Sequence, residues 1–235
     1  MDKELSLIKV SLIGAGNIGT ILAYNLSRKQ IDKIVMIDVV DGLAQGKCLD
    51  LSQSFPIENL NNKVTGSTDI NQIENSDAII ITAGIARKPG MSRDDLIETN
   101  FKIMSDIGKS IKKHAPNSFV ICVTNPLDAM VWSLKNISGI NPNMICGMAG
   151  ILDSARFRYF LSEELNLSVE NIQTMVLGGH GDTMVPLIDF TSIAGIPLQH
   201  LINKGFTSKT KIDAIIQRTR NGGGEIVSLM KNSSA

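Results

Sequence analysis

A glycine-rich turn near the start of the chain constrains its fold more than any other feature. The sequence GAGNIG is preceded by an apolar run at residues 8–13 and followed by helical apolar spacing at 17–27. In a strand–turn–helix unit, Gly14 permits the tight turn, Gly16 lets the backbone approach a ligand, and Gly19 lets the helix pack closely. This context predicts a pyrophosphate-binding turn at the N-terminus of the helix.

Short apolar runs alternate with helical patterns through the first 150 residues. Predicted strands cover residues 33–38, 78–82, 119–124 and 144–148, and a predicted helix covers 96–111. Continuously apolar strands are buried on both faces, and their alternation with helices is typical of βαβ units. We therefore predict an α/β fold with a Rossmann-type, doubly wound parallel sheet in this part of the chain.

The pattern changes after about residue 150, where long helical segments dominate. The predicted elements are a helix at 154–165, a strand at 172–177, and helices at 209–220 and 225–231, the last two separated by Gly222, Gly223 and Gly224. We predict a dinucleotide-binding domain over residues 1–150 and a second, α+β substrate domain over residues 151–235.

Asp38 ends the second predicted strand, nineteen residues beyond Gly19. A carboxylate at this place accepts the hydroxyls of the adenosine ribose and repels a 2′-phosphate. A plain glycine turn with an unrelated aspartate is the alternative, but context and spacing both favour the dinucleotide site. We predict NAD as the cofactor, bound through Gly14, Ala15, Gly16, Asn17, Ile18, Gly19 and Asp38.

Composition limits the classes of partner. The chain has 235 residues, of which 43% are hydrophobic, and 23 basic residues balance 23 acidic ones. With no net charge, neither nucleic acid nor a membrane surface is an expected partner, so a few placed cations must bind any anionic ligand. The sequence shows neither a secretory signal pattern nor a bilayer-spanning apolar run, which predicts a cytoplasmic protein.

The cysteines predict a reducing compartment and no metal site. Cys48, Cys122 and Cys146 form neither a CxxC pair nor an even-numbered framework. Cys122 and Cys146 stand in apolar runs, so we expect both to be small buried core residues.

Two segments carry candidate catalytic side chains. His180 lies among glycines in GGHGD, whereas His114 and His200 are expected to be structural. Asp153 and Arg156 open a predicted helix; Asp153 is either a helix cap or a site residue, and Arg156 is either solvated or a ligand-binding cation.

A third candidate segment, RKPGMSR, follows the predicted strand at 78–82 and runs from Arg87 to Arg93. Its Pro-Gly pair predicts a loop at the strand's carboxyl end, where open parallel sheets bind ligands. A basic surface loop is the alternative interpretation.

Together these segments resemble the lactate/malate dehydrogenase family. GAGNIG, TAGIARKPGMSR, VTNPLDAM, GILDSARFR and GGHGDTMVP occur in that order along the whole chain. Within the family, the motifs are most similar to bacterial malate dehydrogenases of the lactate-dehydrogenase-like group. Five motifs in order are far more specific than any single one.

The resemblance implies roles for individual residues. His180 would be the general acid/base, oriented by Asp153, while Arg93 would polarise the substrate carbonyl. Arg156 would bind the carboxylate beside the reacting carbon as a bidentate fork. Substrate contacts are then expected from Arg87, Arg93, Asn125 and Arg156, and further cofactor contacts from Asn100, Val123, Thr124 and Asn125.

The expected reaction is reversible oxidation of (S)-malate to oxaloacetate, a step of the tricarboxylic acid cycle. Hydride passes to NAD, and the imidazole of His180 can accept or return the proton near neutral pH. Arg87 suits a second substrate carboxylate, because lactate enzymes commonly place an uncharged Gln there. Lactate dehydrogenase and an inactive NAD-binding remnant are the alternatives.

The resemblance also predicts more chain than is present. Relatives usually continue past the position of Ala235 with an Ala-rich helix, further strands and a terminal helix. We therefore expect an incomplete substrate domain that is less stable than an extended version. Family members are expected to be homo-oligomers.

Overall fold

The computed structural model describes residues 7–85 and 93–230, with only the backbone at Arg93. The strands are β1 (Lys9–Ile13), β2 (Lys33–Ile37), β3 (Lys63–Ser67), β4 (Ala78–Ile81), β5 (Phe119–Cys122), β6 (Ile145–Gly147), β7 (Ile172–Gln173), β8 (Val176–Gly178), β9 (Met184–Pro186), β10 (Ser192–Ile193) and β11 (Ile196–Pro197). The helices are α1 (Asn17–Arg28), α2 (Leu43–Ser54), α3 (Arg93–His114), α4 (Leu127–Ser138), α5 (Gly150–Leu165), α6 (Leu198–Asn203), α7 (Lys209–Arg220) and α8 (Gly222–Met230).

A six-stranded parallel sheet organises the first part of the chain. Its order is β3-β2-β1-β4-β5-β6, and every neighbouring pair is parallel. Leu12, Ile34 and Met36 are fully buried, as expected for strands covered on both faces. The doubly wound fold is thus confirmed, and its order reverses between β1 and β4, where such sheets bind ligands.

Strand β3 was not predicted, because its sequence KVTGS is interrupted by polar residues and a glycine. The glycine has a packing role. A Cβ atom added to Gly66 would lie 2.3 Å from the carbonyl oxygen of Ala44 in α2. Only glycine therefore lets α2 approach β3 this closely.

The second part of the chain combines helices with short antiparallel strands. Its core includes Phe157 and Leu161 of α5 together with Ile172 and Val176. The single strand predicted at 172–177 is wrong. It divides into β7, which pairs with β10, and β8, which pairs with β9, because the two halves join different sheets.

The glycines at 222–224 do not separate two helices, contrary to prediction, since α8 begins at Gly222. The backbone N–H of Glu225 donates to the carbonyl of Asn221, which continues the helical pattern. The side chain of Arg218 in α7 donates to both carboxylate oxygens of Glu225. This contact joins the first turn of α8 to α7.

Contacts divide the chain into unit 1, which ends at Gly147, and unit 2, which begins at Met148. The functional assignment of residues 1–150 and 151–235 stays a prediction. Over the described ranges, no helix combines the length and apolarity needed to cross a membrane.

Two of the three cysteines are buried. Cys122 is buried as predicted, but Cys146 is exposed, so that prediction is wrong. Cys146 lies in β6, a three-residue strand at the edge of the sheet, which pairs only with β5 among the described residues.

Candidate active site

The glycine turn of unit 1 is shaped by close backbone packing. Gly14 has φ of 110°, and a Cβ atom there would lie 2.6 Å from the amide nitrogen of Ala83. A Cβ atom on Gly19 would lie 2.0 Å from the carbonyl oxygen of Gly14. Side chains at either position would therefore force β1, α1 and the loop after β4 apart.

Gly16 differs, because a Cβ atom added there meets nothing within 4 Å. It is the N-cap of α1, with no side-chain cap and no acidic residue in the first turn. Gly16 and Asn17 are exposed, so the start of α1, where the positive end of the helix dipole lies, is accessible to a ligand. This arrangement fits a phosphate group.

Asp38 follows β2 and faces the turn. Its Oδ2 accepts a hydrogen bond from Ala15 N–H at 2.7 Å, and its Oδ1 accepts one from Val40 N–H at 3.0 Å. Each carboxylate oxygen can accept a further bond, which suits ribose hydroxyls. The residues present therefore fit NAD.

Asn100 is fully buried and holds two loops of unit 1 together. Its Oδ1 accepts from Ile85 N–H at 2.8 Å, and its Nδ2 donates to the carbonyl of Asn125 at 2.7 Å. Thr124 adds a hydrogen bond to the carbonyl of Ala83 at 2.7 Å. This geometry supports a positioning role for Asn100, while a direct cofactor contact stays a prediction.

In unit 2, His180 faces Asp153. The Nδ1 atom of His180 lies 3.0 Å from Oδ2 of Asp153, which is only 2% exposed. An ionised carboxylate can only accept, so this contact favours the imidazole tautomer with its hydrogen on Nδ1, in which Nε2 is free to accept a proton. The cap interpretation of Asp153 is wrong, since Ala149 is the N-cap of α5.

The alignment of α5 with β8 brings this pair together. Ser154 accepts a hydrogen bond from Val176 N–H at 2.9 Å, and a Cβ atom on Gly150 would lie 3.1 Å from the carbonyl oxygen of Val176. Gly178 has φ of 87°, and a Cβ atom there would lie 2.6 Å from the carbonyl oxygen of Thr183. Sequence reasoning missed Ser154, although it directly follows Asp153.

Arg156 is also part of this cluster and not a solvated helix residue. Its side chain is 19% exposed, and Nη1 lies 3.5 Å from Oδ1 of Asp153. That distance is long for a hydrogen bond, and Oδ1 has no hydrogen-bond partner among the described residues. Arg156 therefore acts on Asp153 through charge, which leaves the guanidinium donors for a carboxylate ligand.

The remaining predicted residues are placed as follows. Arg87 lies outside the described residues, and Arg93 begins α3 with its side chain not described. His114 ends α3, and His200 lies in α6. Within residues 7–85 and 93–230, no three His, Cys, Asp or Glu side chains are grouped to hold a metal ion.

Family comparison covers both units. The lactate/malate dehydrogenase NAD-binding domain matches residues 8–147, and the lactate/malate dehydrogenase alpha/beta C-terminal domain matches residues 151–235. The chain belongs to the lactate/malate dehydrogenase family.

Similar proteins include dehydrogenases for both substrates. A malate dehydrogenase of Paramagnetospirillum magneticum (strain ATCC 700264 / AMB-1) is 53% identical over 227 residues, which make up 97% of this chain and 71% of that protein. The crystal structure of malate dehydrogenase from Plasmodium falciparum has a TM-score of 0.93 at 42% identity, over 97% of this chain and 72% of that one. The lactate dehydrogenase from Cryptosporidium parvum, complexed with lactic acid and β-nicotinamide adenine dinucleotide, has a TM-score of 0.94 at 38% identity, over 98% of this chain and 73% of that one.

Proposed function

We propose that this chain catalyses the reversible, NAD-dependent oxidation of (S)-malate to oxaloacetate. The observation that carries the proposal is the buried Asp153 carboxylate, which orients His180 and lies beside Arg156. An acid/base group next to a carboxylate-binding cation suits a 2-hydroxy acid. The curated relative at 53% identity is itself a malate dehydrogenase.

We assign cofactor binding to residues 1–150 and substrate binding to residues 151–235. The N-terminus of α1 at Gly16 would hold the pyrophosphate, and Asp38 would accept the ribose hydroxyls. When bound, NAD would accept the hydride that leaves the substrate carbon. The predicted contacts at Asn17, Ile18, Val123, Thr124 and Asn125 belong to the same proposal.

The protein's own part of the reaction is proton transfer and charge placement. Nε2 of His180 takes the proton of the malate hydroxyl, and the positive charge formed on the imidazole lies next to Asp153. In the reverse direction Nε2 returns the proton to the oxygen of oxaloacetate. Arg156 would bind the carboxylate next to the reacting carbon, and Arg93 would polarise the carbonyl.

Substrate choice rests on Arg87. A second guanidinium matches the second carboxylate of oxaloacetate, whereas pyruvate would leave that charge without a partner. Lactate dehydrogenase stays the second candidate, because a lactate dehydrogenase is among the structures with the same fold.

The cellular setting is also proposed. The reaction would serve the tricarboxylic acid cycle in the cytoplasm, where three free cysteines stay reduced. Assembly into a homo-oligomer, which the family resemblance implies, belongs to the same proposal.

An assay of NADH oxidation with oxaloacetate and with pyruvate tests the proposal. The purified chain should oxidise NADH with oxaloacetate far faster than with pyruvate, and NADPH should be a poor substitute because Asp38 repels its 2′-phosphate. In the matched variant Arg87→Gln, the ratio of kcat/KM for the two acids should shift toward pyruvate. Faster reduction of pyruvate by the parent chain would identify a lactate dehydrogenase. NADH binding without any turnover would identify a binding module.

A further inference from the structure

Lys47 reaches from α2 to the glycine turn. Its Nζ atom donates a hydrogen bond to the carbonyl oxygen of Ala15 at 2.6 Å, across 32 residues of sequence. Ala15 is fully buried and lies between Gly14 and Gly16 in the motif. The contact therefore joins a charged side chain to the backbone of the proposed phosphate-binding turn.

Ala15 is held on both sides by opposite charges. Its N–H donates to the Asp38 carboxylate at 2.7 Å, and its carbonyl accepts from the Lys47 ammonium. The peptide group between Ala15 and Gly16 is planar and trans, so its carbonyl and its N–H point in opposite directions. Lys47 therefore fixes the direction of the Gly16 N–H by holding the Ala15 carbonyl.

The helix that carries Lys47 is rigidly placed. Ala44 and Cys48 flank it on α2 and belong to the same hydrophobic cluster as Ala15. The close approach of α2 to Gly66 of β3 fixes the helix against the sheet. Lys47 thus projects from a helix that is packed against the sheet, which favours a constant position of its ammonium group at the turn.

We propose that Lys47 is a positioning residue for dinucleotide binding, which keeps the backbone of the glycine turn directed at the pyrophosphate and adds positive charge beside it. This inference rests on the proposed use of NAD. It gives α2 a role in cofactor affinity, in addition to the direct contacts proposed for the glycine motif and Asp38.

The test is a fluorescence titration of NADH against variants of the full chain. Lys47→Met should weaken NADH binding about tenfold, the usual scale for losing a hydrogen bond from a charged group. Lys47→Arg keeps the charge and a donor and should stay within about threefold of the parent.

Lys9→Met is the matched control. Lys9 also bonds a backbone carbonyl, that of Gln72 at 2.7 Å, but it lies at the start of β1, the opposite end from the turn. It should lose thermal stability without losing NADH affinity. Equal losses of affinity in Lys9→Met and Lys47→Met, or unchanged affinity in Lys47→Met, would overturn the proposal.

Turnover separates this inference from the proposed function. At saturating NADH, Lys47→Met should keep the parent kcat for oxaloacetate while its KM for NADH rises. If the parent binds NADH but does not reduce oxaloacetate, the proposed reaction fails, and the binding titration still decides the role of Lys47.

Discussion

At the scale of single residues, the chemistry depends on one buried carboxylate. Asp153 is only 2% exposed, and a buried charge is tolerated when it is paired. Oδ2 faces His180, and Oδ1 lies near Arg156. A carboxylate between two such partners can stabilise positive charge on the imidazole, which is what proton uptake requires.

We expect Asp153→Asn to lower kcat for oxaloacetate reduction by about 10²-fold or more, because a neutral amide cannot stabilise the imidazolium. His180→Asn should remove turnover, and the double variant should be no worse than His180→Asn alone, since the pair acts as a unit. Steady-state kinetics checks both, and NADH affinity should be unchanged throughout. His200→Asn, in α6, is the control. Substantial residual turnover in His180→Asn would contradict this assignment.

At the scale of elements, the start of α8 packs against the side chain of Arg156. A Cβ atom on Gly222 would lie 3.1 Å from Cδ and 3.3 Å from Nε of Arg156, whereas one on Gly224 meets nothing within 4 Å. Arg220, just before α8, donates to the carbonyl of Met184 in β9, the strand paired with β8. One segment thus contacts both Arg156 and the hairpin that carries His180.

Gly222→Ala and Gly224→Ala should therefore differ in their effect on substrate binding. Both replace glycine by a better helix former, a change that stabilises a helix by about 0.5–1 kcal/mol. Gly224→Ala should raise the melting temperature and leave KM for oxaloacetate unchanged. Gly222→Ala should displace the guanidinium of Arg156 and raise that KM about threefold to tenfold, with NADH affinity unaffected. Equal KM values in the two variants would show that substrate binding by Arg156 does not depend on its contact with Gly222.

At the scale of the whole molecule, the thiols distinguish folded from unfolded states. Cys48, Cys122 and Cys146 all lie in unit 1. Burial raises the pKa of the Cys48 and Cys122 thiols to about 11, from a usual value of 9.0. Their pKa is higher in the folded than in the unfolded chain, so their contribution to stability is full below pH 9. It is lost as the pH rises toward 11, because the thiols of the unfolded chain ionise at lower pH than those of the folded chain.

A chromogenic thiol titration at pH 8 should find one fast-reacting thiol in the native protein, that of Cys146. The thiolate is the reacting species, and the two buried thiols should react only as unit 1 unfolds. Denaturant should release all three, and Cys146→Ser should leave no fast thiol. Two or more fast thiols in the native protein would mean that the packing around Cys48 or Cys122 opens readily.

The free energy of unfolding measured from pH 8 to 10.5 should fall above pH 9.

Much of unit 1 could be predicted from sequence, for a local reason. The turn from Gly14 to Gly19 and the carboxylate of Asp38 lie within 25 residues, counting both ends, and glycine spacing directly limits backbone geometry over such short distances. Apolar runs likewise determine which strands are buried, so five of the six strands of the sheet were predicted. Strand β3 was missed, because its place depends on packing against α2 and not on an apolar pattern.

Tertiary structure decided what local pattern left open. Sequence allowed Asp153 to be a helix cap, and only the alignment of α5 with β8 places it against His180, 27 residues away. Packing likewise divides residues 172–177 between two sheets and leaves Cys146 exposed at a sheet edge. Lys47 reaches Ala15 for the same reason. Contacts between distant segments depend on how elements pack, and neither residue spacing nor local propensity encodes that directly.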